Sequence, residues 1–320
     1  MTTMPRHSWI GERPRDLQVI AVPCGIGAGD RGTALAIEDL RAGGLVSRLQ
    51  RHGMTVAWRD VAGEAEASAC PGTRRECVVA FAEDLSFLVE RAVSAGDRFL
   101  VLGGDHSIAA GTWSGAARAR RLEGPIGLVW VDAHMDAHVP ETSPSGNWHG
   151  MPIAHLLGFG HHKLTTLAGP LPAIRPENLC LIGARSFEPQ EAALLDRLGV
   201  RIITMDEVRC EGIAHALAIG LDIAGRGTVG FGISLDIDAI DPVDAPGVGT
   251  PVSGGISGTA MLQALAGTAS LANCIGLEVV EYNPLADLGR RTGRLVESLV
   301  ASAFLRNVEA LAATSPAVSA

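Results

Sequence analysis

Short apolar segments recur along the chain, and each is followed by glycine or polar residues and then by a segment with helical spacing. Residues 126–131, for example, lead directly into Asp132, and residues 98–102 lead into Gly103 and Gly104. Apolar runs of this length are typical of strands that are buried on both faces. Because such strands alternate with helices, the pattern predicts a parallel sheet covered by helices on both sides.

Glycine, proline and clustered polar residues set the predicted boundaries of these elements. The predicted strands occupy residues 17–22, 54–58, 98–102, 126–131, 179–184, 200–204, 229–235 and 275–280. One predicted helix begins near residue 33, and two others cover residues 76–95 and 151–157. A further helix is predicted to end at residue 198, and another lies within residues 208–223. Residues 60–75 and 138–150 are predicted loops. Without an evident linker or repeat, residues 1–320 are predicted to form one domain with flexible ends at 1–15 and 312–320.

The composition narrows the class of protein. Of the 320 residues, 47% are hydrophobic and 19% are charged, as in compact globular enzymes. The net charge of −9 argues against a nucleic-acid partner, because phosphate binding requires clustered Lys and Arg. We find no secretory signal and no apolar run of about 18 residues, so we predict a cytoplasmic protein without a membrane partner. Six scattered cysteines favour neither a disulfide framework nor a zinc site.

Residue types that bind metal ions follow three of the predicted strands. Asp132, His134 and Asp136 come directly after the strand at 126–131. In an extended chain, residues two apart point to the same side, so these three side chains are expected to share one face. Similar residues follow two other strands. The candidate metal ligands are His106, Asp132, His134, Asp136, Asp236 and Asp238.

The chemistry of these six residues predicts the kind of ion. Four carboxylates and two imidazoles, buried together, would repel one another and lose their hydration unless a cation lay among them. Oxygen-rich sites with some imidazole and no thiolate suit Mn²⁺ or a similar hard divalent ion. Since four negative charges exceed the charge of one such ion, we predict two ions about 3.5–4 Å apart with shared carboxylates. Their function would be to supply hydroxide near neutral pH.

Each candidate ligand also has an ordinary structural interpretation. A single Asp at the end of a strand more often caps a helix, and a single His more often makes core or surface contacts. The repeated D-x-H-x-D and D-x-D spacing after separate strands favours ligands over independent caps. Asp105 and Asp241 are predicted to support a turn or a neighbouring ligand instead.

A G-x-G-x-x-G pattern from Gly27 to Gly32 raises a different function, that of a dinucleotide-binding oxidoreductase. The glycines begin several residues beyond the strand at 17–22, not in the tight turn that follows a strand in that motif. Nothing else in the sequence indicates a nucleotide. This interpretation is therefore the weaker alternative, and a titration with nicotinamide cofactor tests it.

Five motifs resemble those of the ureohydrolases, and among these the sequence is most similar to the arginases. They occur in the family's order across nearly the whole chain, up to about Phe304. The motifs are Gly104-Asp105-His106-Ser107, Asp132-Ala133-His134-Met135-Asp136, Ser145-Gly146-Asn147-Trp148-His149-Gly150, Ser234-Leu235-Asp236-Ile237-Asp238 through Asp241-Pro242, and Glu281-Tyr282-Asn283-Pro284.

The resemblance implies a three-layer α-β-α fold, two Mn²⁺ ions per subunit, and hydrolysis of the guanidino group of L-arginine to ornithine and urea. It implies that one ion is held by His106, Asp132, Asp136 and Asp236, and the other by Asp132, His134, Asp236 and Asp238. The implied catalytic residues are Asp136, His149 and Glu281. His149 would shuttle protons to the leaving amine, and Glu281 would pair with the guanidinium.

The implied substrate-binding residues are His138, Ser145, Asn147, Glu188, Thr250 and Glu281. His138 stands where an Asn is common in arginases, and Ser186 and Glu188 each stand in place of an Asp. These departures leave open another guanidino substrate, such as 4-guanidinobutyrate or agmatine. A relative that only binds ligand is a further alternative, which the intact ligand set together with His149 and Glu281 disfavours. The resemblance also implies a homo-oligomer, either a trimer or a hexamer.

Overall fold

The computed structural model describes residues 17–51, 53–61 and 72–304. Within these residues one sheet contains eight strands in the order β2-β1-β3-β8-β7-β4-β5-β6, and every neighbouring pair is parallel. The strands are β1 (Leu17–Ala21), β2 (Val56–Asp60), β3 (Arg98–Leu102), β4 (Ile126–Val131), β5 (Ile174–Ala184), β6 (Arg201–Thr204), β7 (Phe231–Asp236) and β8 (Cys274–Val280). The predicted parallel sheet is confirmed. The predicted flexible ends, 1–15 and 312–320, lie outside the described residues.

Helices connect the strands and cover the sheet. They are α1 (Ala36–Ala42), α2 (Leu45–Arg51), α3 (Arg74–Ser94), α4 (Ala109–Arg120), α5 (Pro152–Leu156), α6 (His162–Thr165), α7 (Pro189–Leu198), α8 (Met205–Glu211), α9 (Ile213–Gly225), α10 (Gly258–Leu265) and α11 (Arg291–Phe304). The longest of them, α3, begins at a capping box in which Thr73 and Glu76 satisfy each other's backbone N–H groups. No helix among the described residues has both the length and the apolar character that crossing a membrane requires.

Side chains on β3 show how the sheet is buried on both faces. Phe99 and Val101 pack into one hydrophobic core together with helices α3 and α4. Leu100 and Leu102 point to the opposite face and pack into a second core that includes residues of α1, α9 and α11. Because side chains alternate between the two faces of a strand, each strand contributes to both cores. The sheet therefore lies between two layers of helices, which is the predicted three-layer arrangement.

Several predicted boundaries differ from the structure. The strand predicted at 54–58 is β2 at Val56–Asp60, and β5 begins at Ile174 where the apolar pattern indicated residue 179. The extra residues of β5 include polar, partly exposed positions, so hydrophobicity alone does not reveal them. The helix predicted within 208–223 is two helices, because Gly212 between α8 and α9 has a φ of 84° that interrupts helical geometry.

Four neighbouring strands bring their carboxyl ends to one place. In the sheet order β3-β8-β7-β4, Leu102 pairs with Val279, Val279 with Leu235, and Leu235 with Val131. These strands therefore end nearly level with one another. The residues that follow them meet at one edge of the sheet, where ligands bind in open α/β folds.

Candidate metal centre and active site

The candidate ligands after β4 and β7 do not lie on extended strands, contrary to the sequence prediction. β4 ends at Val131, and Asp136 has a left-handed backbone with a φ of 47°. Asp238 lies in a short 3₁₀ helix that covers residues 237–239. The prediction that these side chains share one face of an extended chain is therefore wrong, although the side chains do converge.

A local hydrogen bond instead shapes both strand ends. Oδ1 of Asp132 accepts a 2.7 Å hydrogen bond from the backbone N–H of His134. Oδ1 of Asp236 accepts a 2.7 Å hydrogen bond from the backbone N–H of Asp238. An aspartate that accepts from the residue two positions on forms an Asx turn. Each turn folds the chain back over the end of its strand and directs the other carboxylate oxygen, Oδ2, towards His106.

His106 lies at the centre of the first group of candidate ligands. Its Nδ1 atom is 3.2 Å from Oδ2 of Asp132 and 3.1 Å from Oδ2 of both Asp136 and Asp236. Among the described residues, none of these contacts has hydrogen-bond geometry, so this buried nitrogen has no hydrogen-bond partner. Nδ1 of His106 therefore lies among carboxylate oxygens without a hydrogen bond to any of them. This arrangement suits a cation that the nitrogen and the oxygens bind together.

A second group shares Asp132 with the first. Nδ1 of His134 is 3.1 Å from Oδ2 of Asp238 and 3.5 Å from Oδ1 of Asp132. The donor atoms of His106, Asp132 and Asp236 lie within 4.8 Å of one another, and so do those of Asp132, His134 and Asp238. The two groups together fit a divalent metal site, and Asp132 belongs to both groups.

The electrostatics of the cluster agree with this fit. Burial and the neighbouring Asp132 raise the pKa of Asp136 to about 7. Burial opposes the charged form of His134, but Asp238 and Asp132 outweigh it and raise the pKa of His134 to about 12. Burial and the nearby carboxylates also raise the pKa of Asp236. Without a cation, the cluster therefore retains protons that a metal ion would displace.

Buried residues behind the cluster hold His106 and Asp132. Trp130 donates from Nε1 to Oδ2 of Asp132 at 2.9 Å, and its ring stacks on His106 at a centroid distance of 4.0 Å. Nε2 of His106 lies 3.0 Å from Oγ of Ser234, which donates to Oε2 of Glu278 at 2.6 Å. Such partners orient a metal-binding imidazole. Glu278 is not among the residues predicted from the sequence, although a carboxylate inside the apolar strand β8 is a signal that the sequence contains.

Thr250 and Arg185 both donate hydrogen bonds to Asp238. Oγ1 of Thr250 donates to Oδ2 of Asp238 at 2.8 Å. Arg185 donates to the backbone carbonyls of Asp238 and Val252, each at 2.8 Å. Thr250 is a predicted substrate-binding residue, whereas the sequence predicts no role for Arg185. Both hold the loop that presents Asp238, and only the folded chain reveals the contacts of Arg185.

His149 and Glu281 form the polar pair nearest the cluster. Nδ1 of His149 lies 3.0 Å from Oε1 of Glu281, which also accepts a 2.8 Å hydrogen bond from the backbone N–H of His106. Burial disfavours both charged forms, but their attraction outweighs it. The pKa of His149 rises to about 9, and the pKa of Glu281 falls below its ordinary value. The pair is therefore an imidazolium and a carboxylate at neutral pH.

One cavity of about 310 Å³ collects the predicted substrate residues. It is bounded on one side by candidate metal ligands and the His149–Glu281 pair. All six predicted substrate-binding residues line it: His138, Ser145, Asn147, Glu188, Thr250 and Glu281. Ser186 and Glu191 also line the cavity. The structure thus brings together residues that are separated by more than 100 positions in the chain.

Glu188 and His138 form a pair away from the cluster. Nε2 of His138 lies 3.0 Å from Oε2 of Glu188, and its Nδ1 lies 3.0 Å from Oγ1 of Thr142. The hydrogen bond from His138 lowers the pKa of Glu188 below its ordinary value. Oε2 of Glu191 accepts from the backbone N–H of Glu188 at 2.9 Å and so fixes its position before α7. Both ring nitrogens of His138 are engaged by protein groups, and Glu188 presents its carboxylate to the cavity.

Two other predicted substrate residues lie on the long loop before α5. Oγ of Ser145 accepts a 3.2 Å hydrogen bond from the backbone N–H of Asn147. Oδ1 of Asn147 accepts from Arg74 at the start of α3. Asp105 and Asp241, predicted to form turns, accept backbone N–H groups from Ser107 and from residues 243, 254 and 255.

Comparison with known proteins agrees with the fold. The sequence model of the Arginase family matches residues 15–305. The arginase of Brevibacillus brevis is 37% identical over 297 residues, which cover 91% of this chain and 98% of that protein. The crystal structure of Bacillus cereus arginase is 34% identical, with a TM-score of 0.84, and covers 92% of this chain and 99% of that chain. A structure of Entamoeba histolytica arginase in complex with L-ornithine is 28% identical, with a TM-score of 0.82. The match covers 91% of this chain and 98% of that chain.

These similarities extend over nearly the whole chain and include every motif that the sequence analysis compared with the ureohydrolases. The family match also includes the G-x-G-x-x-G pattern at 27–32, so that pattern gives no support to a dinucleotide-binding oxidoreductase. In the structure, the buried carboxylate of Asp105 lies against Gly27, where a pyrophosphate would be repelled. The chain belongs to the arginase family of hydrolases.

Proposed function

We propose that this protein is an arginase, which hydrolyses L-arginine to L-ornithine and urea with two Mn²⁺ ions per subunit. One observation carries the proposal: a single cavity joins the candidate metal ligands to an imidazolium–carboxylate pair and to polar groups suited to an amino acid. The named relatives that cover most of the chain support it, and one of them binds L-ornithine, the amino acid that this reaction releases.

The donor set favours Mn²⁺ among divalent ions. Carboxylate oxygens with two imidazoles and no thiolate suit a hard ion. We propose that His106, Asp132, Asp136 and Asp236 hold one ion and that Asp132, His134, Asp236 and Asp238 hold the other. When bound, the ions would lower the pKa of water and so supply a hydroxide nucleophile near neutral pH.

Glu281 is placed to bind the guanidinium group. Its Oε1 atom is held by the backbone N–H of His106 and by the ring of His149, and Oε2 can accept from the substrate. A carboxylate matches the planar fork of N–H donors on a guanidinium. The side chain is only 3% exposed, so this contact is made in a largely water-free environment. Glu281 would thereby orient the guanidinium carbon towards the metal centre.

His149 is placed to donate the proton that the leaving amine needs. Its Nδ1 is engaged by Glu281, so Nε2 is the ring nitrogen that can transfer a proton. Because the pKa of His149 is raised to about 9, the imidazole is protonated at neutral pH. A protonated group beside the scissile C–N bond can act as a general acid. The amine then leaves as a neutral group and does not carry away a negative charge.

The residues away from the metal centre favour an amino acid over simpler guanidino compounds. The carboxylate of Glu188, which His138 keeps ionised, is suited to an α-ammonium group. Ser145 and Asn147 offer polar groups for an α-carboxylate. Agmatine lacks the α-carboxylate and 4-guanidinobutyrate lacks the α-ammonium, so each would leave one of these subsites unpaired. Another guanidino substrate remains the alternative, because His138, Ser186 and Glu188 differ from the common arginase pattern.

Urea release tests the proposal directly. The Mn²⁺-loaded protein is offered L-arginine, agmatine and 4-guanidinobutyrate in parallel, and metal-stripped protein is the control. We expect metal-dependent urea with a clear preference for L-arginine. A preference for another compound would reassign the substrate, and no metal-dependent urea from any of them would overturn the proposed function.

The implied cytoplasmic location and the trimeric or hexameric assembly stay predictions, and analytical ultracentrifugation tests the assembly.

A further inference from the structure

The glycine-rich loop that follows β1 contacts the segment that carries His149. The backbone carbonyl of Gly27 accepts a 2.8 Å hydrogen bond from the N–H of Trp148 and a 3.3 Å hydrogen bond from the N–H of His149. These residues form the short 3₁₀ helix at Trp148–Gly150, whose side chains include a largely buried Trp148. The backbone of His149 is thus held by one carbonyl that lies about 120 positions earlier in the chain.

The other side of Gly27 is attached to the metal centre. Its N–H donates to Oδ2 of Asp105 at 2.8 Å, and Oδ1 of Asp105 accepts from the N–H of Ser107. Asp105 is completely buried and directly precedes His106. Gly27 therefore connects the backbone of a candidate proton donor to the residue beside a candidate metal ligand.

This connection requires glycine because the chains approach closely. A Cβ atom added at Gly27 would lie 2.3 Å from Oδ1 of Asp105 and 2.4 Å from Oγ of Ser107. Both distances are far below van der Waals contact, and Asp105 cannot retreat because it is buried and hydrogen-bonded on both sides. Gly32 is equally restricted, because a Cβ atom added there would lie 2.1 Å from Oδ1 of Asn283. Gly29 is not, because its added Cβ would lie 3.5 Å from the nearest atom, Nδ2 of Asn147, which is an ordinary contact.

We propose that Gly27 is a positioning residue for His149, setting the distance between the proton donor and the metal centre through its two backbone groups. The inference rests on the proposed function, because it assumes that His149 transfers a proton. Glu281 holds the ring of His149 and the N–H of His106, whereas Gly27 holds the backbone of His149 and the carboxylate beside His106. The two connections together restrict His149 relative to His106.

A pair of glycine substitutions tests the role in turnover. Gly27→Ala is compared with the matched control Gly29→Ala in the Mn²⁺-loaded protein. Because a misplacement of about 1 Å can lower a rate about 10²-fold, we expect kcat of Gly27→Ala to fall by about that factor. We expect its KM and metal content to stay near those of the unaltered protein, and kcat of Gly29→Ala to be unchanged. Equal kcat in the two variants would overturn the proposal.

A double-mutant cycle shows whether Gly27 acts through His149. His149→Asn is made alone and in combination with Gly27→Ala. If Gly27 acts only by positioning His149, the combined variant is no slower than His149→Asn. Losses of kcat that multiply in the combined variant would show that Gly27 acts elsewhere and would overturn the proposal.

Hydrogen exchange tests the connection without reference to activity. In the unaltered protein we expect the amides of Trp148 and His149 to exchange slowly, and the amide of Asn147, which bonds only to an exposed side chain, to exchange quickly. In Gly27→Ala the first two amides should exchange faster, and in Gly29→Ala they should not. Fast exchange of both amides in the unaltered protein overturns the proposal even if Gly27→Ala does not fold. Absence of urea from the unaltered protein would instead overturn only the proposed function.

Discussion

Nδ1 of His149 lies 3.0 Å from Oε1 of Glu281, although 132 positions separate the two residues in the chain. Burial alone would favour the neutral form of each side chain. Their attraction reverses both effects, so the pKa of His149 rises from 6.5 to about 9 and that of Glu281 falls. Because the folded-state pKa of His149 lies above the unfolded value, the pair loses its stabilising contribution as the pH rises from 6.5 through about 9. Because the folded-state pKa of Glu281 lies below its unfolded value, the contribution is also lost in acid, where Glu281 becomes protonated.

Removing the charge of Glu281 should return His149 to a lower pKa. In Glu281→Gln the carboxylate that favours the imidazolium is lost while burial remains, so we expect the pKa of His149 to fall by about 1–3 pH units. NMR titration of labelled histidine in metal-free protein measures it. The buried His155, whose pKa burial lowers to about 3, serves as an internal control that should not change. An unaltered pKa of His149 would contradict the pairing.

Removing a shared carboxylate should empty part of the metal centre. We expect Asp132→Ala and Asp236→Ala each to lose at least one of two bound Mn²⁺ ions and to reduce kcat by more than about 10²-fold, because each carboxylate faces His106 within the cluster. Metal analysis after dialysis and urea release measure the two effects. Asp222→Ala, which removes an exposed carboxylate paired with Arg226, is the control. Full metal content with normal turnover would rule out the assignment.

Removing the hydroxyl of Ser234 should weaken metal binding without removing a ligand. Ser234→Ala leaves Nε2 of His106 without its partner and breaks the connection to Glu278, so we expect metal affinity to fall by about 10–100-fold. Titration of metal-free protein with Mn²⁺ measures the affinity. The control is Ser302→Ala, which also removes a buried hydroxyl but one that donates to the carbonyl of Leu262. A similar affinity in both variants would show that Ser234 has no influence on the metal centre.

Removing the carboxylate of Glu188 should reveal how the substrate is selected. If Glu188 binds an α-ammonium group, Glu188→Ala should reduce kcat/KM for L-arginine by about 10-fold or more, since a charged hydrogen bond is lost. Turnover of 4-guanidinobutyrate, which lacks that group, should change much less. Glu123→Ala, an exposed carboxylate paired with Arg120, is the control. Equal losses for both substrates would remove the specificity role of Glu188.

Release of protons should accompany metal binding, and affinity should therefore depend on pH. Asp136 has a pKa of about 7 and His134 a pKa of about 12 in the metal-free cluster, and both must lose their protons to act as ligands. We expect affinity for Mn²⁺ to fall as the pH is lowered below 7. Calorimetry in two buffers of different ionisation enthalpy measures the protons released. Binding that releases none at pH 6 would contradict this account of the cluster.

Local features of the sequence determined the parallel sheet and the identities of the candidate site residues. Burial on both faces requires apolar runs such as 126–131, and that requirement is visible without knowing what packs against them. Residue type and spacing likewise identified Asp132 and Asp236 as candidates for a metal centre. The family motifs extended this to His149 and Glu281, because each motif is a continuous stretch of sequence.

Tertiary structure decided how these residues converge and what holds them. The sequence pattern suggested an extended chain after β4 and β7, but Asx turns at Asp132 and Asp236 produce the geometry instead. The buried Glu278 acts through Ser234, and Gly27 acts through contacts with residues far along the chain. Such hydrogen bonds depend on which strands are neighbours and on how closely two loops approach. The order of the strands and the approach of the loops are both set by packing across the whole fold. No local stretch of sequence specifies that packing.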